Sequence, residues 1–473
     1  MCSLWSYFPP EGLFGTPKLT IHKKREYNRF KMERRDGQTL SAPIGVQWEI
    51  TSWCNEKCVH CYNFWKKDAI PPSRISTSTP EIWQRTAEAI IQNNIFYTII
   101  TGGEPLAVLK EFYPFLLLLN QRGVEVRLNS NLTMLTEDKA KLLKKAGIKS
   151  VLTSLTSCDP KTNAELTGID CLKSIERGIK TSLGAGLRTS VNMVVTKKNF
   201  NNIVETAQYA KSLGIRSFSA TRAATPARGI DFSEYAISNA EYLIMLKELL
   251  QVRDKLGMHV DSLEFYPPCS FDSQEMANAF GNRSCTAGRT TCTIDFDGTV
   301  RPCPHSPDKF GSVTENGGLE TAWRQMLPWR EPDQYLPTEC NNCNSKLSCR
   351  GGCRVEAQCR SGNFNSPDPL SNFSQTPFKK EAKTIVHPDL PNEQGFFFNP
   401  NLKSRNEQFG GILFANLSNW IAVDRNLLGF YTEFRNRAFS MNNLAKALNG
   451  GSKEVRKTTQ YLLQRVIIQK GGD

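Results

Sequence analysis

Cys54, Cys58 and Cys61 stand in the spacing C-x3-C-x2-C, directly after the alternating run Val46, Gln47, Trp48, Glu49 and Ile50. A short loop leaving a strand can present three thiolates to one corner-shaped acceptor. Three is an odd number for zinc, whose structural sites close with four protein ligands. A four-iron cluster held by three cysteines keeps one iron open to bind something else. A second constellation lies downstream. Cys340, Cys343, Cys349 and Cys353 follow C-x2-C-x5-C-x3-C; Cys269, Cys285, Cys292 and Cys303 precede them, and Cys359 follows. Paired C-x2-C spacing serves zinc and iron-sulfur clusters alike, so a pair of zinc-ribbon sites stays open on spacing alone. Fifteen cysteines in a chain whose start shows no basic region followed by an apolar stretch argue for ligation over disulfides, because cytosolic thiols are kept reduced.

These ligands need a scaffold, and the hydrophobic pattern supplies one. Strand-like runs at 97–100, 124–128, 150–155, 189–195 and 216–221 alternate with helical runs at 110–122, 137–146, 172–184 and 201–213. Repeated strand-helix units predict an α/β fold with a parallel sheet, closing partway into a (β/α)6 TIM-like barrel with active residues at the carboxyl ends of its strands. The first cysteines and a glycine pair sit at such ends. Between Cys269 and Cys359 the alternation stops, and a segment so poor in apolar residues needs metal to fold. At 473 residues the chain is expected to hold several domains.

Around Cys54, Cys58 and Cys61 the chain resembles the radical S-adenosylmethionine (radical SAM) superfamily, whose hallmark is this spacing with an aromatic residue just before the third cysteine. His60 holds that place and Tyr62 follows Cys61, so either ring is a candidate to meet the adenine. The resemblance implies that the free iron chelates S-adenosylmethionine, that one electron cleaves it to methionine and a 5′-deoxyadenosyl radical, and that the radical takes a substrate hydrogen. Thr101, Gly102, Gly103, Glu104 and Pro105 look like the family's GGE motif, whose glycines admit close backbone approach. There the backbone and Glu104 would meet the methionyl ammonium. Asn129, Ser130 and Asn131, then Ser154, Asn192 and Arg222, are placed like the family's ribose or carboxylate contacts; the alternative is ordinary turn and strand-end polarity.

The cysteine-rich segment resembles the SPASM extension of radical enzymes that mature peptides and proteins. The family pattern implies two auxiliary clusters, one held by Cys285, Cys292, Cys303 and Cys353 and one by Cys340, Cys343, Cys349 and Cys359, with Cys269 near enough to compete. Three [4Fe-4S] clusters per chain are then expected. Cys2, Cys158 and Cys171 are left over and read as buried apolar thiols. Residues 399–473 show strand, strand and three helices in the order of a winged helix. This resembles the small peptide-binding chaperone of pyrroloquinoline-quinone biosynthesis, a form known as a RiPP recognition element. Residues 409–415, 420–423 and the third helix would form its leader-binding groove. A DNA-reading winged helix is the competing view, supported by Arg435, Arg437, Lys453, Arg456 and Lys457.

The expected organisation is an N-terminal extension (1–42), a radical SAM barrel (43–265), a SPASM domain (266–360), a Ser, Asn and Pro-rich linker (361–398) and a recognition element (399–473). The expected activity is maturation of a leader-bound ribosomal precursor peptide, with an external donor such as flavodoxin or ferredoxin. A thioether, carbon-carbon or carbon-oxygen crosslink is preferred. Epimerisation, backbone excision and sulfatase-type maturation are the enzymatic alternatives, and a zinc protein binding peptide or nucleic acid is the non-enzymatic one. No acid or base residue is named by the sequence. The net charge of +13 suits an acidic peptide partner, nucleic acid being less favoured for want of a reading motif. The longest apolar run, 115–119, cannot span a bilayer, so a cytoplasmic protein is expected.

Overall fold

The computed structural model describes residues 39–64, 78–227, 229–281, 283–331, 333–378 and 394–471. Nearly all of the expected N-terminal extension, Cys2 and residues 379–393 of the expected linker lie outside these residues. The described residues form two compact units, residues 42–378 and residues 394–471 with 39–41.

In the first unit, β1 (Gly45–Glu49), β2 (Tyr97–Thr101), β3 (Glu125–Asn129), β4 (Val151–Ser154), β5 (Thr189–Val195), β6 (Ser217–Arg222) and β7 (His259–Asp261) lie side by side in sequence order. All are parallel. Sequential neighbours mean that every crossover turns the same way, which curls the sheet toward a barrel; a doubly wound sheet would reverse its order. Beyond β1 the sheet continues into β8 (Thr291–Ile294), parallel to β1, and β9 (Val300–Arg301), antiparallel to β8. The cysteine-rich segment thus extends the barrel's own sheet, and no break between compact units falls at 265/266. The sheet ends at β7 and β9, so the barrel is partial.

Local chemistry sets the crossover helices. Thr136 caps Glu137–Lys145, with Glu137 and Asp138 in its first turn and Lys144 and Lys145 in its last, opposing the helix dipole. A Ser238/Glu241 capping box opens Asn239–Leu256, and left-handed Gly257 closes it. Strand register then sorts the side chains. Glu49 pairs with Thr101, Asn129 with Leu152, Ser154 with Asn192 and Asn192 with Ser219. Because side chains alternate, one face carries Gln47, Glu49, Thr101, Asn129, Ser154, Asn192, Thr221 and Thr293. The other carries Val46, Trp48, Ile100, Leu128, Val151, Met193 and Phe218. Trp48 meets Phe112 of the helix Leu109–Gln121 edge-on at 5.0 Å, so the apolar face lies under the helices and the polar row faces the barrel interior.

The expected linker begins later than residue 361. Asp368 and Leu370 are buried, Asp368 accepts the Cys353 N–H at 2.6 Å, and Asn365 donates to the Gln334 carbonyl. That stretch is folded onto the cysteine-rich segment.

The second unit is a three-stranded antiparallel sheet, β11 (Lys403–Glu407), β12 (Gly410–Asn416) and β13 (Asn419–Asp424), in that order. Three helices follow, Arg425–Phe434, Met441–Leu448 and Ser452–Gln464, and β10 (Phe396–Phe398) pairs with β14 (Ile468–Lys470). Phe398, Phe430, Phe434, Phe439, Leu444 and Leu462 belong to a core of the unit's own. Two details differ from expectation. β12 is central, so the sheet's edges are β11 and β13. The helix lying on β12 and β13 is Arg425–Phe434, because Asp424 caps it straight out of β13; Ser452–Gln464 packs on Met441–Leu448 and β14 instead.

Candidate active site and cluster ligands

Cys54, Cys58 and Cys61 lie half-buried in the loop leaving β1. The loop is clamped by a helix that sequence reasoning missed, Pro160–Thr167. Its last carbonyls need partners, and the loop supplies them: the Lys57 N–H donates to Thr167 O at 2.9 Å and the Val59 N–H to Leu166 O at 3.1 Å. From the other side Asn55 donates to the Thr133 hydroxyl at 2.8 Å and accepts from the Asn131 amide at 3.0 Å, tying the loop to the turn after β3. The Glu56 N–H reaches the Cys54 sulfur at 3.4 Å.

The Gly102–Gly103–Glu104 turn after β2 locks against the same loop. Gly103 donates to Thr51 O and Glu104 to Trp53 O, both at 2.6 Å. A Cβ on Gly103 would stand 1.8 Å from Trp53 O, and Gly102 holds φ +139°, so neither position admits a side chain. Asn63, just past the third cysteine, donates to Gly102 O at 2.9 Å. The Glu104 carboxylate is engaged within the protein: it accepts from Leu106 N–H at 2.9 Å, the Ser130 hydroxyl at 2.7 Å and Asn131 N–H at 2.8 Å. Burial nevertheless pushes its carboxyl up to about 7.

Of the two candidate rings, His60 is buried in the cysteine loop. Tyr62 turns toward the second constellation: its hydroxyl accepts from Gln47 Nε2 at 3.0 Å and its ring stacks on His305 at 4.9 Å. Asn129, Ser154 and Asn192 fall on the interior polar row. Arg222 does not; register puts it on the opposite face from Thr221, and its guanidinium pairs with buried Glu264 at 2.7 Å.

The polar row offers the fit test for a bound ligand. Gln47 Oε1, Glu49 Oε1, Asn129 Oδ1, Asn192 Nδ2 and Thr293 Oγ1 are all buried and make no hydrogen bond within the protein. Buried polar atoms are otherwise nearly always paired. Gln47 and Thr293 also line the cavity of the auxiliary cysteines, and Glu49 is held by Arg301; the acceptor Asn129 Oδ1 and the donor Asn192 Nδ2 remain for a polar occupant with hydroxyl, amino and carboxylate groups, as S-adenosylmethionine has.

The auxiliary cysteines pass a second test. Cys285, Cys292, Cys303 and Cys353 line one cavity, with Gln47, Glu264 and His305 on its wall. The loop carrying Cys303 is pinned by Arg301, whose wholly buried guanidinium pairs with Glu49 of β1 at 2.6 Å and with Asp295, and donates to the carbonyls of Cys303, Pro304 and Ser306. Burial pushes the Cys303 thiol up to about 12 and raises that of Cys292 as well; a positively charged iron centre beside such sulfurs favours their thiolates. Among the described residues no three His, Cys, Asp or Glu side chains close on the radius of a single metal ion; a four-iron cluster, several atoms across, takes a wider set of thiols. Cys340, Cys343 and Cys349 lie on the turns Thr338–Cys340 and Lys346–Cys349 and between them. Cys359 lies on the helix Arg354–Ser361, packed against the Trp329 and Val355 cluster that also meets Cys285, Cys303 and Cys353. Cys171 is a buried thiol donating toward Asn163 at 3.4 Å, its pKa pushed up to about 11 by burial.

Comparison with known proteins identifies two domains in the first unit. Residues 48–219 match the Radical SAM superfamily and residues 285–344 the SPASM iron-sulfur cluster-binding domain. The mycofactocin maturase MftC of Mycobacterium tuberculosis is 28% identical over 340 residues, 70% of this chain and 83% of that protein. An AdoMet-dependent heme synthase of Nitratidesulfovibrio vulgaris is 25% identical, covering 69% of this chain and 92% of that one. A PqqA peptide cyclase of Granulibacter bethesdensis is 23% identical, covering 74% and 93%. The crystal structure of Streptococcus suis SuiB bound to precursor peptide SuiA superposes with a TM-score of 0.56 at 17% identity, covering 70% of this chain and 76% of SuiB, a likeness of fold. This chain therefore carries a radical SAM domain, binding S-adenosylmethionine and an iron-sulfur cluster, joined to an iron-sulfur cluster-binding SPASM domain.

Proposed function

We propose that this chain is a peptide maturase that binds a ribosomal precursor through its leader and installs a crosslink in the core peptide. The observation carrying the reading is the clamped 54–61 loop, set at the mouth of a barrel whose interior row holds buried polar atoms without protein hydrogen bonds, Asn129 Oδ1 and Asn192 Nδ2. With its cluster reduced and S-adenosylmethionine bound, such a site supplies a 5′-deoxyadenosyl radical. Cys54, Cys58 and Cys61 hold the cluster. His60 offers its ring to the adenine, since Tyr62 is taken up by Gln47 and His305. The amides of Asn129 and Asn192 and the hydroxyl of Ser154 meet the ribose and carboxylate, while Glu104 and Ser130 fix the Gly102–Gly103 backbone that faces the methionyl group.

Cys285, Cys292, Cys303 and Cys353 hold a first auxiliary cluster, and Cys340, Cys343 and Cys349 three corners of a second. Such clusters can accept the electron left on the substrate after hydrogen abstraction, which favours a crosslink over epimerisation, where no net oxidation occurs. A flavodoxin or ferredoxin supplies the first electron. The peptide substrate is supported by the likeness to a peptide cyclase and by the second unit, whose edge strands β11 and β13 can each accept an extended leader as a further strand. The likeness to an AdoMet-dependent heme synthase favours a second reading, a tetrapyrrole substrate.

The test is iron and sulfide content after anaerobic purification, with 5′-deoxyadenosine measured on adding reductant and S-adenosylmethionine. About twelve irons per chain, from three four-iron clusters, and deoxyadenosine formation are expected. Cys58→Ala should abolish that formation while precursor binding persists. Zinc with no deoxyadenosine would make the chain a binding protein. Turnover of a porphyrin precursor without binding of the peptide encoded nearby would establish the second reading.

A further inference from the structure

The cavity on which Cys285, Cys292, Cys303 and Cys353 meet is walled by more than sulfur. Gln47, Ser284, Thr293, His305 and Trp329 line it as well, and each is at most 8% exposed. Among the described residues, Gln47 Oε1, Ser284 Oγ, Thr293 Oγ1, His305 Nε2 and Trp329 Nε1 find no hydrogen-bond partner. Buried side-chain polar atoms are paired in the large majority of cases. Five unpaired ones around a single cavity point to an occupant that they address together.

Two of the five lie to one side. Register seats Thr293 beside Gln47 of β1, whose amide meets the Tyr62 hydroxyl at 3.0 Å. The other three stand among the cysteines. Ser284 directly precedes Cys285, and His305 follows Cys303 by two residues, its ring fixed by stacking on Tyr62 at 4.9 Å. Trp329 belongs to the group of side chains on which Cys285, Cys303 and Cys353 pack, and Tyr335 and Phe364 hold its ring at 5.6 and 5.8 Å. The chemistry of the three fixes that of the occupant. An indole N–H can only donate, a hydroxyl can donate, and a neutral imidazole can donate from Nε2. The occupant is therefore an acceptor, and a cluster with four thiolate ligands is one, since its sulfurs carry negative charge and no hydrogen. Glu264, the carboxylate on the same wall, is taken up by Arg222 at 2.7 Å and does not compete for the donors.

We infer that Ser284, His305 and Trp329 donate hydrogen bonds to the sulfurs of the cluster held by Cys285, Cys292, Cys303 and Cys353 and raise its reduction potential, so that it takes the electron left on the substrate. Reduction adds one negative charge to the cluster, and donors to its sulfurs stabilise that charge. As the crosslink closes, the substrate radical gives up one electron to this cluster and one proton to water, and the electron then leaves for an oxidised flavodoxin or ferredoxin. The inference rests on the three-cluster reading above and names the residues that tune one of the three.

The experiment is a redox titration of the full-length chain, reconstituted anaerobically and free of peptide, followed by electron paramagnetic resonance with iron content measured alongside. The signal of this cluster is the one that Cys285→Ala removes. Ser284→Ala, His305→Phe and Trp329→Phe should each keep about twelve irons and make this cluster harder to reduce. The ratio of reduced to oxidised cluster at a fixed potential should fall about threefold in each, or about 28 mV at 59 mV per tenfold for one electron. The other two signals should stay in place. Ser284→Thr, which keeps the hydroxyl, should titrate like wild type. So should Thr86→Val, which removes a buried hydroxyl equally without a hydrogen bond but on the helix Pro80–Gln92, away from the cavity. Wild-type potentials in the loaded variants, or loss of about four irons from all three, overturns the inference: the side chains then hold water or serve packing alone, and the three-cluster reading stands. A wild type with zinc in place of iron, or without the signal that Cys285→Ala should remove, overturns both.

Discussion

Glu104 is pulled two ways. Burial favours its neutral form, while the Ser130 hydroxyl and the N–H groups of Leu106 and Asn131 favour the carboxylate, and burial wins by enough to bring the group to about 7. A carboxyl raised above its ordinary value binds its proton more tightly in the folded chain than in the unfolded one. Stability therefore falls as pH rises from the unfolded value toward the folded one. Over a span of between two and three units, at about 1.4 kcal/mol each, the loss is on the order of 3 kcal/mol. Glu104→Gln should remove that slope. It should also lower the melting temperature at every pH, because the amide NH2 cannot accept both backbone N–H groups. Melting curves of the loaded chain between about pH 5 and 7.5 check this; parallel curves for wild type and variant would refute it. At this scale the triad and the glycine pair were legible because residue type and spacing name their chemistry. Asn55, Asn63, Gln47 and Thr293 were not. An amide or hydroxyl means nothing until its distant partner is known, and Asn55 finds its partners at Asn131 and Thr133. His305 had a weak signal, two residues past Cys303.

Elements with a clean period were readable, and elements defined by their contacts were not. The helix Leu172–Gly184 and the strand Thr189–Val195 fall where the 3.6- and 2-residue patterns put them. Pro160–Thr167 is only eight residues long, opens on the Asp159-Pro160 pair, whose composition also suits a turn, and owes its importance to where its last carbonyls point. β11 reads Lys-Ser-Arg-Asn-Glu and shows no apolar alternation, because its buried positions are Arg405 and Glu407, paired at 2.8 Å. The clamp made by Pro160–Thr167 can be tested at its end. Gly168 holds φ +72°, and a Cβ there would lie 2.8 Å from the Lys57 Cβ. Gly168→Val adds strain of roughly 1–3 kcal/mol and pushes directly on the cysteine loop. It should cost the chain about four irons and at least tenfold in 5′-deoxyadenosine formation, with the auxiliary signals unchanged. Gly184→Ala is the matched control, since Gly184 is helical and a Cβ there meets nothing within 4 Å. It should stabilise the chain by about 0.5–1 kcal/mol. Equal cofactor loss in the two variants would mean that the loop is not held by this helix.

On the proposed reading, the molecule as a whole divides between chemistry and recognition. The first unit holds every cysteine described. The second has its own aromatic core, in which Phe396 and Phe398 of β10 pack with Phe439, and β10 pairs with β14 at the far end of the unit. That pairing fixes where a truncation must fall. A cut at residue 399, where the strand and helix pattern begins in sequence, would strip β10 from β14 and leave its rings exposed on the first unit's side of the cut. A cut after residue 378 removes the second unit intact and keeps the contacts of Asn372 and Gln375 with Cys269 and Phe271, at the turn Pro268–Ser270. The chain ending at 378 should therefore keep all its iron and form 5′-deoxyadenosine without peptide at a rate within about twofold of the full chain, a difference of about 0.4 kcal/mol in barrier. Its affinity for the precursor should fall at least about a hundredfold, near 2.7 kcal/mol. In the full chain, affinity for an acidic leader should weaken as salt rises, because the net charge of +13 contributes a long-range attraction that screens over about 8–10 Å. Titration of a fluorescent precursor into both chains at two salt concentrations separates the outcomes. Unchanged affinity in the truncated chain would place leader recognition on the barrel and cluster unit, and the second unit's edge strands would then need another occupant.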